Sequence, residues 1–188
     1  MVKFSRWQRI ATALGLLSAA GTPAVGQGND PALSRLRSEI TRLSAIAKGK
    51  VGVGLIHLES GTELFQNAGE GFAMASTVKV PIAVQLLTKV DQRQLRLDSM
   101  VAIGPTDLHP GSGTLSNLFD DPGVSLSLRN LTELMLLISD NSATDIVLRT
   151  AGSGAAVNAR LASLGVQGIS VDRPTIHLIA DAIGVKDL

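Results

Sequence analysis

A mixed α+β domain is what this chain predicts, on two observations. Two short apolar segments joined by a tight turn lie between residues 51 and 66, and a run of helical segments follows them. Size agrees with that class. Residues 1–26 read as an export signal, and the 162 residues after it are one domain by length, enough to bury a sizeable core.

The export reading rests on three ordered regions. Lys3, Arg6 and Arg9 form a basic start, Ile10 to Ala20 an apolar stretch, and Ala24-Val25-Gly26 a small-residue cleavage site. There is no twin arginine, so general secretion is the simpler route, and the stretch is too short and interrupted for a membrane span. An uncleaved anchor or a tail is the alternative. The segment holds three of the 17 basic residues and none of the 16 acidic ones, so the mature chain carries a net charge of −2. That disfavours a nucleic-acid partner. There is no Cys, hence no disulfide framework and no thiolate metal site, and the three His, at 57, 109 and 177, show no ligand spacing. We expect no metal.

Asp30-Pro31 opens a first helix as N-cap and first helical residue, and Leu33, Leu36, Ile40, Leu43 and Ile46 keep a helical period until Gly49. Val51 to Leu58 is a strand apolar on both faces apart from His57, which predicts cover on both sides. Glu59 to Thr62 is a turn and Glu63 to Gln66 the second strand of a hairpin. His57 reads as a sheet histidine with a satisfied hydrogen bond rather than a catalyst.

The next helix carries the chemistry. Ser76-Thr77-Val78-Lys79 begins it, followed by the apolar run Val80 to Leu87. Residues three apart on a helix share a face, which puts the Ser76 hydroxyl and the Lys79 amine within reach of each other. Free N–H groups at a helix start stabilise developing negative charge, and burial lowers a Lys pKa until the amine accepts a proton. A serine is thereby activated without histidine. Pro81 removes the hydrogen bond to the Thr77 carbonyl, so either the first turn is loosened or the regular helix starts later.

Met100 to Ile103 is a short strand, and Gly104 to Asp121 a long loop rich in Pro and Gly. Gly111-Ser112-Gly113 within it lacks the pattern and lysine of a phosphate cradle, and no G-x-S-x-G occurs. From Ser127, an apolar stripe through Leu128, Leu131, Leu134, Met135 and Ile138 predicts a helix. Ser142-Ala143-Thr144-Asp145 resembles a capping box for the next, which stops at Gly152. Ser139-Asp140-Asn141 thus occupies a tight connection between two buried helices, where three polar side chains need partners or a task. Ser153 caps a further helix to Gly165, and Ile176 to Ile183 forms the last.

Alone, S-x-x-K is an ordinary N-cap followed by a solvated lysine. Ser139-Asp140-Asn141 alone is an ordinary turn. Together with K-T-G the two motifs mark class A β-lactamases and penicillin-binding proteins, and here the first two stand in that order, 63 residues apart. With the hairpin and Leu128 to Met135 running into Ser139 to Thr144, the chain resembles the class A β-lactamases and wider β-lactamase-like serine hydrolases.

The resemblance implies a helical domain packed on an antiparallel sheet, with Ser76 as acylated nucleophile and Lys79 as base or proton relay. Ser139 would be the proton shuttle to the leaving nitrogen and Asn141 the partner of the substrate amide. It implies a β-lactam or peptidoglycan-stem-like substrate, no cofactor, a monomer, and a periplasmic or secreted location. Two departures accompany it. The family's Asp-Arg-x-Glu reads Asp172-Arg173-Pro174-Thr175, and threonine cannot be the base that activates the deacylating water. No K-T-G follows Arg173. The expectation is a truncated or fragmentary chain without the last sheet strands and closing helix, leaving an apolar strand edge exposed. A D-alanyl-D-alanine carboxypeptidase or transpeptidase-like enzyme, and a non-catalytic binding module, are the alternatives.

Overall fold

The computed structural model describes residues 30–119 and 124–184, and the expected export segment lies outside them. The chain forms two compact units, divided between Phe72 and Ala73. The first contains helix α1 (Pro31–Ser44) and strands β1 (Val53–His57) and β2 (Thr62–Gln66). Asp30 caps α1 through the Ala32 N–H at 2.8 Å with Pro31 behind it, as the sequence predicts. The helix ends at Ser44 rather than at Gly49, and Leu36 and Leu43 on its apolar stripe are exposed. Strands β1 and β2 pair antiparallel with Val53 opposite Gln66 and His57 opposite Thr62. The expected cover on both faces of β1 is not found among the described residues: Leu55 and Ile56, which point to opposite faces, are both exposed. His57 sits at the strand end with Nδ1 2.8 Å from Ser60 Oγ.

The second unit holds the core. It comprises α2 (Lys79–Asp91), β3 (Met100–Ile103), α3 (Leu115–Leu118), β4 (Val124–Ser127), α4 (Leu128–Leu137), α5 (Asn141–Ala151), α6 (Gly154–Ser163) and α7 (Thr175–Ile183). Strand β4 pairs antiparallel with β3, Met100 opposite Ser127, a ribbon the sequence reading did not anticipate. Four residues, Val-Ser-Leu-Ser, carry too little pattern to separate from a helix approach. Similarly, α3 lies inside the expected long loop.

Helix α5 is the hub, because residues 141–148 and Ala151 are all buried. A helix covered on every side must be a core helix. Packed on it are α2, α4, α6 and α7, with Ile82, Leu86, Leu131, Met135, Ile146, Val147 and Val157 at 0–1 % exposure. On the predicted stripe of α4, Ile138 is exposed, since the helix has ended by then. Gly152 stops α5 in the left-handed region at φ 115°, where a side chain is strained. Among the described residues no helix is long and apolar enough to cross a membrane. Ile146→Ala should lower unfolding free energy by about 2–5 kcal/mol, since Ile146 is fully buried in the core cluster and its loss leaves a cavity there; urea denaturation measures it.

Candidate active site

Ser76 does not begin an α-helix. Residues Ala75–Val78 form a 3-10 turn and the regular helix begins at Lys79, so Pro81 is its third residue, where no intrahelical N–H bond is lost. The turn is entered through Ala75 at φ 46°, a left-handed conformation unfavourable for a residue with a side chain. This geometry presents Ser76 to solvent and turns Lys79 inward, leaving it 3 % exposed.

The two meet through a third residue. Ser76 Oγ lies 2.8 Å from Ser139 Oγ, and Lys79 Nζ lies 2.7 Å from the same oxygen. Lys79 Nζ also donates to the Ser139 carbonyl at 2.6 Å and to Asn141 Oδ1 at 3.3 Å. Direct reach of hydroxyl to amine, as the sequence suggested, is replaced by a bridge. Both oxygens come from the connection between α4 and α5, where Ser139 adopts φ 62° and so turns its hydroxyl and carbonyl together toward the amine.

Asp140 holds that connection. Its Oδ1 accepts the Ala143 N–H at 2.9 Å, making Asp140, not Ser142, the N-cap of α5. Its Oδ2 accepts the N–H groups of Thr114 and Leu115 at 2.6 and 2.9 Å. Asp140 is 1 % exposed, and the bonds from Leu115 and Ala143 are buried while that from Thr114 is partly buried. The capping-box reading of Ser142 to Asp145 fails because the chain enters the helix two residues earlier. Ser142 Oγ instead accepts the His109 N–H at 2.8 Å.

The glycines of Gly111-Ser112-Gly113 acquire a reason the sequence did not disclose. Gly113 has φ 121°, and a Cβ there would lie 2.3 Å from the Asp140 carboxyl and 2.6 Å from its Cα. A Cβ on Gly111 would come within 3.0 Å of Asn141 Nδ2, which donates to the Pro110 carbonyl at 3.5 Å. The Asn141 N–H is bonded to the Ser112 carbonyl at 2.9 Å. The loop is therefore a backbone cradle for the turn.

Asp145 ties in the last helix. Its carboxylate accepts the N–H groups of Thr175 and Ile176 at 2.7 and 3.0 Å and faces His109 Nε2 at 3.2 Å. Burial would raise its pKa, but the bonds from His109, Thr175 and Ile176 outweigh burial and hold the carboxyl below its ordinary value. Thr175 thus opens α7 with its backbone anchored on α5. For Lys79 the balance is the reverse: burial lowers its pKa, and the nearby charges of Asp140 and Asp145 only partly restore it. Among the described residues no cluster of three or more His, Asp or Glu is placed to hold a metal.

These residues, in this order, can be set against known proteins. The model of the beta-lactamase enzyme family matches residues 35–187. The chain belongs to that family. Among its relatives, β-lactamase L2 of Stenotrophomonas maltophilia is 29 % identical over 162 residues, covering 86 % of this chain and 52 % of the relative. An ancestral class A β-lactamase superposes with TM-score 0.70 at 29 % identity, over 76 % of this chain and 54 % of the other. PBP-A superposes with TM-score 0.70 at 27 % identity, over 78 % and 55 %, and a mutant of PBP-A is known as an acyl-enzyme complex with penicillin G. This β-lactamase family chain spans about half the length of the curated relatives it matches. Over the matched part its fold is that of the class A enzymes.

Two measurements test the site's physics. Lys79 should titrate below the ordinary lysine value of 10.5 in an NMR titration of its side chain, and Asp145→Asn should move the midpoint lower still by removing a charge that raises it. Between the folded midpoint and 10.5 the unfolded chain binds more protons at this residue, so its contribution makes stability rise with pH across that window. Gly113→Ala should cost about 2–5 kcal/mol, combining left-handed strain with a backbone clash. Gly165→Ala has φ 75° but open space around it, and should cost only about 1–2 kcal/mol in the same denaturation assay.

Proposed function

We propose that this chain carries the acylation machinery of an exported serine hydrolase that opens the β-lactam ring through an acyl-Ser76 intermediate. The observation that carries the reading is the hydrogen-bonded group that links Ser76 through Ser139 to a buried Lys79. A neutral Lys79 has two N–H groups and one lone pair. Two acceptors that carry no proton, the Ser139 carbonyl and Asn141 Oδ1, suit the N–H groups, and the lone pair is left for the Ser139 hydroxyl. Ser139 then donates to Lys79 and accepts from Ser76, which is a two-step proton path from nucleophile to base.

In this reading Ser76 Oγ attacks the lactam carbonyl as its proton passes through Ser139 to Lys79. The C–N bond breaks when Ser139 returns that proton to the leaving nitrogen. Lys79 is the base, Ser139 the shuttle, and Asn141 the partner of the substrate's amide. The lowered Lys79 pKa supports the base assignment, because a larger share of the amine is neutral at a given pH. Export by the segment 1–26, a periplasmic or secreted location, a role in antibiotic resistance and a monomeric state belong to the same proposal, with 27–188 as the partial hydrolase domain.

One observation favours slow deacylation. Thr175 stands where a Glu would activate water, and its N–H is taken by Asp145. PBP-A, with a mutant held as a penicillin G acyl-enzyme, is similar to this chain, so a penicillin-binding enzyme acting on D-alanyl-D-alanine ends is the second reading. Intact mass of the chain over time with penicillin G tests both. The expected result is one adduct on wild type, none on Ser76→Ala, and an unchanged yield on Ser125→Ala, whose side chain is exposed on β4. Decay of the adduct within minutes supports the hydrolase, and persistence supports the penicillin-binding enzyme. Adduct formation that survives Ser76→Ala would overturn the assignment.

A further inference from the structure

His57 and His177 are exposed, whereas the side chain of His109 is only 11 % exposed, and it takes no part in the proton path from Ser76. Its backbone N–H is held by Ser142 Oγ, which pins this point of the loop to the first turn of α5. Its ring lies against the Asp145 carboxylate, Nε2 to Oδ2 at 3.2 Å, and that side chain is 8 % exposed.

Asp145 has no other ion partner among the described residues. The two arginines on the wall of the same cavity are committed elsewhere, Arg149 to Asp107 at 2.7 Å and Arg173 to Asp181 at 2.6 Å. Burial works to raise the Asp145 pKa, and among the bonds that overcome it the one with His109 is the largest. The other donors to the carboxylate open α7: the Thr175 N–H on Oδ1 and the Ile176 N–H on Oδ2. Oδ2 is thus shared between His109 and Ile176, so the place of the ring and that of the helix opening are coupled through one atom. The loop continues the connection two residues on. A Cβ on Gly111 would lie 3.9 Å from Ile179 Cδ1 of α7 and 3.0 Å from Asn141 Nδ2, and Asn141 Oδ1 accepts from Lys79. Residues 109–111 therefore touch both α7 and the group around Lys79.

We infer that His109 is a positioning residue, which through the Asp145 carboxylate sets where α7 opens and, with it, the stance of residue 175 toward an acylated Ser76. The consequence for turnover rests on the acyl-Ser76 reading above; the geometry does not. Position 175 is where the family's pattern carries the group that activates the deacylating water, so the placement of this opening acts on the decay of the acyl-enzyme. The path from Ser76 to Lys79 is held by other bonds, those of the Asp140 carboxylate and the Ser139 carbonyl, so formation of the acyl-enzyme is left alone.

The test compares wild type, His109→Ala and His109→Gln as the intact chain. Glutamine places an N–H donor as many bonds from Cα as the imidazole Nε2 and carries no charge. In His109→Ala, amide hydrogen exchange at Thr175 and Ile176 should quicken about tenfold while Val147 and Leu148 in α5 keep their wild-type rates, and His109→Gln should restore slow exchange. With penicillin G, the adduct should form at the wild-type rate in all three proteins and last about tenfold longer in His109→Ala alone. A merely structural role would quicken every amide together, which would overturn the proposal. Unchanged exchange at Thr175 and Ile176, or one adduct lifetime shared by all three proteins, would do the same. If wild type forms no adduct, the acyl-Ser76 reading fails and exchange alone decides the role of His109. Should His109→Ala not fold, the wild-type ring decides: nitrogen NMR spectra should show the neutral imidazole protonated on Nε2, and a proton on Nδ1 instead would overturn the inference.

Discussion

The three backbone N–H groups gathered on the Asp140 carboxylate are the constraint from which the site follows. One carboxyl caps α5, anchors the loop at Thr114 and Leu115, and does so with 1 % exposure. Because those donors come from two segments 28 and 29 residues apart in sequence, Thr114-Leu115 and Ala143, the turn between α4 and α5 is held to one geometry. Ser139 is locked at a positive φ, its hydroxyl and carbonyl both face Lys79, and Asn141 follows on the first turn of α5. Removing the carboxylate would leave three N–H donors unpaired, those of Leu115 and Ala143 in buried bonds, and release all of these at once.

Lys79 shows why such rigidity is needed. A lysine at 3 % exposure has lost its hydration, and three oxygens within 3.3 Å replace it. Asp140 and Asp145 are near enough to favour the charged form but are occupied by other donors, so burial prevails and the pKa falls. A looser pocket would admit water and restore an ordinary ammonium. The same packing that makes α5 the hub of the core thus sets the basicity of the amine beside it.

Legibility from the sequence followed the reach of each signal. The helices were readable because their periods and caps are local: Asp30-Pro31 and Ser153 each cap as expected. Ser76, Lys79, Ser139 and Asn141 were identifiable because two short motifs in order are more specific than either alone, and the structure brings all four within one hydrogen-bonded group. What escaped depends on partners distant in sequence. The role of Gly113 lies in Asp140, 27 positions on, and that of Asp145 in Thr175, 30 positions on. Strand β4 is defined by its pairing with β3, and the exposed faces of β1 by neighbours its own residues do not name.

Acylation and deacylation draw on different parts of this fold. The proposed nucleophile and proton path are built from the 3-10 turn that holds Ser76, the first residue of α2 and the turn before α5, and α2 and α5 are packed in the core of the second unit. Deacylation in the proposed hydrolase needs a base aimed at water near the ester, and the position where the family's pattern carries it opens α7. That helix is tied down chiefly by the backbone N–H groups of Thr175 and Ile176 given to Asp145, to which the Thr175 side chain adds a further favourable contact. The chain can therefore lose the glutamate without losing the anchorage of the segment that would present it. A threonine at this point removes one chemical function while leaving the Ser76 arrangement mechanically intact, which is why the lifetime of the acyl-enzyme, rather than its formation, separates the two enzymatic readings.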